Sequence, residues 1–263
     1  MNRRSFLGAV AAGGAAAAAG CSTSSGPDSS GAASDYPLPS VDESAVDGWA
    51  ATGTQSSTFT FSAGPVTVEG YGRTRLYEDA ALRETVRAET LGQFDRPLAM
   101  FFATRVSLEG YLNAAIEPMV VADRVAPRIR AKFEARGIRR VERTDTRSPT
   151  PDIDGAQHLA FDGVYPTPTI EREVEIPDVG TRTLELAGGL LPIHAFTSVW
   201  KPDRNALLLA GGAYPAADYA KRDTVSVSGD GVGDGVDVTA SVSLDLETER
   251  TRTELVALAE TVS

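Results

Sequence analysis

The sequence has very few residues of the kinds that most often carry chemistry in proteins. Among its 263 residues are one cysteine, Cys21, and two histidines, His158 and His194. A single cysteine excludes an internal disulfide, so the fold must be stabilised by its hydrophobic core. No Gly-x-Ser-x-Gly, His-Glu-x-x-His, phosphate-loop or Cys-x-x-Cys pattern occurs. The usual sequence signatures of nucleophilic, zinc, nucleotide and redox sites are therefore missing.

Lysine is also scarce, with three residues against 22 arginines, and acidic residues outnumber basic ones to give a formal net charge of −11. The negative sign disfavours nucleic acid as a partner. Charge this far from zero favours solubility but destabilises the compact state by self-repulsion. Concentrated salt relieves that repulsion, because the Debye length falls to about 3 Å at 1 M.

The N-terminal residues have the pattern of an export signal. Arg3 and Arg4 are followed by Phe6 and Leu7 and then by a weakly apolar Ala/Gly stretch, which predicts a twin-arginine signal that the Tat translocase reads. A transmembrane helix is the alternative. Residues 5–20 are too short and too rich in glycine for it, since a span needs about 20 apolar residues.

The signal ends in Ala18-Ala19-Gly20-Cys21, which is typical of a lipobox. The thiol of Cys21 would take up the lipid, and cleavage before Cys21 would make it the new N-terminus and remove residues 1–20 together with two positive charges. Residues 22–35 are a Ser/Gly-rich segment that predicts a flexible tether with a mean reach of about 20 Å. Residues 21–35 thus form the lipidated cysteine and tether, and residues 36–263 a single globular domain.

Hydrophobic periodicity predicts the elements of that domain. Every second residue from Val236 to Leu246 is apolar, which is typical of a strand with one buried face. Helices are expected within residues 79–92 and 117–136 and at the C-terminal end, with a kink or a helix start near Pro127. Other strands are predicted at residues 59–63, 66–68, 98–106, 138–144, 157–164, 170–176, 181–187, 190–200 and 206–214.

Strands joined by short hairpins, with two or three flanking helices, predict an α+β domain on a mostly antiparallel sheet. The element order is loosely similar to the PsbP/Mog1-like sandwich, a likeness of fold only.

Two features of the domain, its two histidines and a Gly/Asp run, resemble parts of known ligand sites. His158 and His194 each fall inside a predicted strand with no carboxylate or histidine at ligand spacing, so we expect hydrogen-bonded structural histidines. The Gly/Asp run 229–237 resembles a calcium loop, but counting from Asp230 puts Val232 at the third position and Ser241 at the twelfth. An EF-hand needs oxygen ligands at both, so a hairpin loop is favoured.

Two further patterns have structural and functional interpretations. The paired glycines Gly188-Gly189 and Gly211-Gly212 are expected at bulged strand ends, or as the floor of a ligand groove. Residues 124–147 contain nine basic and three acidic residues, which favours a solvated helix face, or else contact with anionic headgroups. The sequence therefore predicts no catalytic residue, no cofactor-binding residue and no metal ligand.

The signal, the lipobox, the tether and the acidic, arginine-rich composition together resemble haloarchaeal twin-arginine signal lipoproteins of an uncharacterised family. The resemblance implies a protein held on the outer face of the cytoplasmic membrane by a lipid on Cys21. A non-catalytic binding or accessory domain is the favoured function, with its protein or small-molecule partner unknown. One alternative is a cell-surface hydrolase using carboxylates near Asp152 and Asp154 or near Asp230 and Asp234. Another is an assembly factor for a membrane complex.

Overall fold

The fold is built on a seven-stranded, wholly antiparallel sheet. The computed structural model describes residues 35–63, 66–109, 116–144, 150–176, 180–227 and 236–263. The predicted signal, Cys21 and nearly all of the tether lie outside these residues. In the described residues, no helix is long and apolar enough to span a membrane.

The described part of the chain contains eleven strands and three helices. The strands are β1 Trp49–Ala63, β2 Val66–Asp79, β3 Met100–Glu109, β4 Arg139–Thr144, β5 Gln157–Pro166, β6 Ile170–Ile176, β7 Gly180–Leu186, β8 Leu190–Asp203, β9 Ala206–Pro215, β10 Tyr219–Val227 and β11 Val236–Leu244. The helices are α1 Ala80–Glu89, α2 Pro118–Ala135 and α3 Thr248–Glu260. The large sheet has the strand order β1-β2-β3-β9-β8-β5-β4. The predicted α+β class on a mostly antiparallel sheet is confirmed.

The centre of the core is β9, in which every residue is buried. Gly211 and Gly212 lie inside this strand and not at its end, so the expectation of bulged strand ends is wrong for this pair. A Cβ at Gly211 would collide with the carbonyl oxygen of Phe196 on β8, and one at Gly212 with that of Met100 on β3. Only glycine lets the three backbones approach this closely.

The helices cover the two faces of the sheet. Helix α2 packs on one face, where Phe133 contacts Phe161 with ring centroids 6.0 Å apart. Helix α3 packs on the other, because a Cβ at Gly212 would lie 2.7 Å from the side chain of Leu255. Pro127 lies inside α2, so the expected helix start near it is wrong: the helix begins at Pro118.

Sequence signals at the start of α1 behave as expected. Asp79 is its N-cap and accepts a 2.9 Å hydrogen bond from the backbone N–H of Leu82. This bond satisfies one of the amide groups that a helix N-terminus leaves without an intrahelical partner.

Two hairpins, β6–β7 and β10–β11, form separate two-stranded sheets that contact each other. The β10–β11 pairing agrees with the hairpin predicted around the Gly/Asp run, although residues 228–235 of that run lie outside the described residues. Buried apolar side chains fill the space between these hairpins and the rest of the domain, among them Ile170, Leu184, Leu186, Val242 and Leu244.

Candidate functional site

Strand register brings three arginines together on one face of β2 and β3. Arg73 lies directly opposite Arg105, and Arg75 lies opposite Ala103. Directly opposed residues place their Cβ atoms about 5 Å apart, and diagonal neighbours such as Arg75 and Arg105 about 7–8 Å apart. We call Arg73, Arg75 and Arg105 the arginine face.

The arginine face is on the same side of the sheet as α3. Gly212, which points toward α3, pairs with Phe101, and Phe101 pairs with Tyr77 on β2. Side chains alternate along a strand, so Arg75 and Arg73 share the side of Tyr77. On β1 the hydroxyl residues Thr54 and Ser56 lie opposite Arg75 and Arg73, which extends the polar surface to the sheet edge.

The guanidinium groups are partly buried and incompletely satisfied. Arg105 is 25% exposed and its Nη2 atom lies 3.5 Å from Asp203, while Arg73 donates through Nη1 to the carbonyl oxygen of Tyr36 at 2.8 Å. The Nε atoms of Arg75 and Arg105 are buried and have no hydrogen-bond acceptor among the described residues. Each unfilled buried donor costs about 1–3 kcal/mol.

Like charges directly opposite each other also destabilise a sheet. The arginine face thus combines charge repulsion with unfilled hydrogen bonds, and neither contributes to folding. The chemistry that would relieve both is a negative charge carrying oxygen acceptors.

Two tyrosines border the arginine face. The rings of Tyr36 and Tyr71 stack with centroids 4.6 Å apart. Tyr36 donates its hydroxyl to Glu109, and Tyr71 donates to Glu69 at 2.8 Å. The hydrogen bond to Glu109, with smaller contributions from desolvation and the nearby negative charge, raises the pKa of Tyr36 to about 12. The hydrogen bond to Glu69 likewise raises the pKa of Tyr71.

Glu69 on β2 and Glu109 on β3 lie directly opposite each other. Along the strands, this pair is two residues from the position of Tyr71 and four residues from Arg73 and Arg105. Their carboxylates accept hydrogen bonds from phenols and so have partners of their own. The border carboxylates therefore form hydrogen bonds with the tyrosines.

Both histidines are hydrogen-bonded within the sheet. His158 contacts the hydroxyl of Ser198 through Nδ1 at 2.8 Å, and desolvation lowers its pKa. His194 contacts Asp162 through Nδ1 at 2.7 Å. Both histidines are thus hydrogen-bonded, as expected, and the partner of His194 is not visible from sequence spacing because the β5–β8 register supplies Asp162.

No group of three or more His, Cys, Asp or Glu side chains in the described ranges is arranged to hold a metal ion.

The carboxylates considered for a hydrolase are not assembled into a site that the structure describes. Asp152 and Asp154 are exposed, and the backbone N–H of Asp152 donates to Glu260 at 2.9 Å. Asp230 and Asp234 lie outside the described residues.

The described part of the basic segment, residues 124–144, forms the outer surface of α2 and β4. Its arginines make exposed ion pairs, such as Arg130 with Glu134 at 2.9 Å and Arg143 with Asp123 at 3.1 Å. Such pairs are solvated and contribute little to stability. These contacts agree with the interpretation as a solvated face.

Sequence reasoning missed the arginine face because its members come from different strands. One local signal was present, since Tyr71, Arg73, Arg75 and Tyr77 alternate with the residues of the opposite face. A second was Arg105, a charged residue within the largely apolar run 98–106. Neither signal indicates that these residues meet.

The fold and the site define a class of protein: an α+β domain on an antiparallel sheet, with a cationic patch on one face. The chain belongs to the family described as a domain of unknown function, DUF6517, which matches residues 38–263. No curated protein and no solved structure matches the chain.

Proposed function

We propose that this chain is a lipid-anchored domain on the outer face of the cytoplasmic membrane, and that it binds a ligand rather than catalysing a reaction. The observation that carries the binding role is the arginine face, where the buried Nε donors of Arg75 and Arg105 have no acceptor among the described residues. A buried donor without an acceptor calls for an explanation, and a bound anion that supplies the acceptor is one. The anchor and the location rest on the signal and lipobox residues, Arg3, Arg4, Phe6, Leu7 and Cys21.

The junction between tether and domain supports this arrangement. Tyr36, the first residue after the predicted tether, stacks on Tyr71, donates to Glu109 and accepts a hydrogen bond from Arg73 through its carbonyl oxygen. These contacts fix the start of the domain against the sheet. A tether attached there would hold the arginine face beside the point of attachment.

The alternatives are weaker proposals. A carboxylate-dependent hydrolase has no structural support from Asp152 and Asp154, which are exposed surface residues. An assembly factor for a membrane complex would use the same anchor, and crosslinking in intact cells that recovers a stable protein complex would favour it. The likeness to the PsbP/Mog1-like sandwich is a proposal about the fold alone.

The anchor is tested by replacing Cys21→Ser in cells that produce the full chain, with Ser22→Ala as the matched control. We expect the cysteine variant to leave the membrane fraction or to keep its signal, with the corresponding change in mass. The Ser22→Ala variant should fractionate like the parent. A Cys21→Ser protein with the membrane association and mass of the parent would contradict the anchor.

Export is tested separately by replacing both Arg3 and Arg4 with lysine, which keeps the charge. The expected result is accumulation of uncleaved chain inside the cell, because the translocase recognises the paired arginines and not their charge alone. Normal export of this variant would rule out the twin-arginine route.

A further inference from the structure

The geometry of the arginine face points to the chemical class of its ligand. We infer that Arg75 and Arg105, with Arg73 beside them, bind the phosphate or carboxylate group of a small molecule. This inference rests on the proposed binding role and adds the ligand class to it.

The donors match an oxyanion better than any other partner. A guanidinium presents its N–H groups in a planar fork that fits two oxygens of a phosphate or carboxylate, and it stays charged at every accessible pH. Here two such groups have a buried Nε donor without an acceptor among the described residues. An oxyanion that enters between Arg75 and Arg105, with a small rotation of either side chain, would fill these donors.

The immediate surroundings favour the same class. Among the residues that the structure describes, Arg105 has only a long ion pair to Asp203, which is half exposed, so solvent weakens that attraction. Glu69 and Glu109 accept from tyrosines. Thr54 and Ser56, opposite Arg75 and Arg73 on β1, are exposed and offer hydroxyl groups to the rest of a ligand.

Charge limits the size of the ligand. The whole chain has a formal net charge of −11, which repels a long polyanion such as a nucleic acid. A cationic patch confined to three residues on two strands attracts one or two negative charges instead. The ligand is therefore a small molecule with a single anionic group, or one lipid headgroup.

The test is a titration of the full-length chain, purified in detergent, with inorganic phosphate and then with acetate. Chloride keeps the ionic strength constant, and calorimetry measures the dissociation constant. We expect saturable binding of at least one of the two anions. Arg75→Met should weaken it by at least about tenfold, since a hydrogen bond to a charged group contributes about 1.5–3 kcal/mol.

Matched variants distinguish the effect of the bidentate guanidinium geometry from the effect of its positive charge. Arg75→Lys keeps the charge and loses the bidentate geometry, so its affinity should lie between that of the parent and that of Arg75→Met. Arg105→Met is a second variant in case the first folds poorly, and circular dichroism checks the fold of each. Arg172→Met, at an exposed position on β6, should bind like the parent.

A parallel measurement of binding to lipid vesicles identifies the source of the anion. Binding of free phosphate or acetate indicates a soluble ligand, whereas binding only to vesicles with anionic phosphate headgroups indicates a lipid. Either result supports the inference if Arg75→Met weakens it. No binding in any arm, or equal binding by the parent and Arg75→Met, would overturn it. The membrane fractionation of Cys21→Ser is unaffected by this outcome, so the two proposals can fail separately.

Discussion

Arg250 on α3 and the arginine face differ in how many carboxylates lie near each guanidinium group. The single guanidinium of Arg250 contacts three carboxylates, those of Asp79 at 2.7 Å, Glu247 at 2.8 Å and Glu254 at 2.8 Å. On the arginine face, Arg75 and Arg105 have one carboxylate, Asp203, at 3.5 Å from Arg105 among the described residues. Arg250 thus has three carboxylate partners, whereas Arg75 and Arg105 together have one distant partner among the described residues.

The difference separates a structural arginine from the two arginines that we propose bind a ligand. Burial alone would lower the pKa of Arg250, but hydrogen bonds to Asp79 and Glu254 outweigh it and raise the pKa. Because Asp79 also caps α1, these contacts join α3 to the end of β2 and the start of α1. On the arginine face, Arg73 holds the backbone of Tyr36 and Arg105 has a 3.5 Å ion pair with Asp203, while the repulsion between its members opposes folding.

The largest predicted effect on stability comes from removing Asp79, the buried carboxylate partner of Arg250. Replacing Asp79→Ala removes a helix cap and a buried partner of Arg250, because the Asp79 side chain is only 1% exposed. We expect a loss of about 3 kcal/mol of unfolding free energy, measured by denaturant unfolding. The control Glu247→Ala removes an exposed partner of the same arginine and should cost less than about 1 kcal/mol. Equal losses in the two variants would contradict the structural role of Asp79.

The second prediction concerns the tyrosine border and alkaline pH. The folded state raises the pKa of Tyr36 from 10.0 to about 12, so folding favours the neutral phenol. The stabilisation is therefore fully present below pH 10 and is lost as the pH rises toward 12. Tyrosinate absorbance of the full chain should show a late-titrating group that disappears in Tyr36→Phe. In Glu109→Gln the same phenol should titrate closer to its ordinary value, and an unchanged late titration there would rule out Glu109 as the cause.

The smallest predicted effect is on the basic surface of α2. A double-mutant cycle on Arg130 and Glu134 should give a coupling energy of about 0.3–0.5 kcal/mol, since both side chains are about half exposed. The coupling should shrink with added salt. A coupling above about 1 kcal/mol would show that this surface resembles the Arg250 cluster instead of a solvated face.

Local patterns predicted most elements of the fold, but not residues 49–58 of β1, residues 69–79 of β2 or the extent of β10. The apolar alternation from Val236 predicted the strand that the structure gives as β11, Val236–Leu244. Asp79 was expected near the N-cap of the first helix and is the N-cap. Period and capping act within a few residues, so the sequence displays them directly.

The site depends on contacts that local patterns do not display. His194 meets Asp162, and Arg73 meets Arg105, only because β5 pairs with β8 and β2 with β3 in particular registers. A shift of one residue would turn every side chain of a strand to the opposite face. The dense basic run in residues 124–147 was visible in the sequence, yet most of it lies on the solvated surface of α2 and β4.

The most direct test of this account compares Arg75→Met with Arg250→Met by denaturant unfolding in a chloride buffer that contains no phosphate or carboxylate. Methionine keeps much of the aliphatic stem of arginine and removes the charge. Arg250→Met should lose about 2 kcal/mol or more, because it leaves buried Asp79 without its cation. Arg75→Met should be as stable as the parent or more stable, because repulsion and an unfilled donor are removed. A loss in Arg75→Met equal to that in Arg250→Met would show that the arginine face is structural, and would contradict the account.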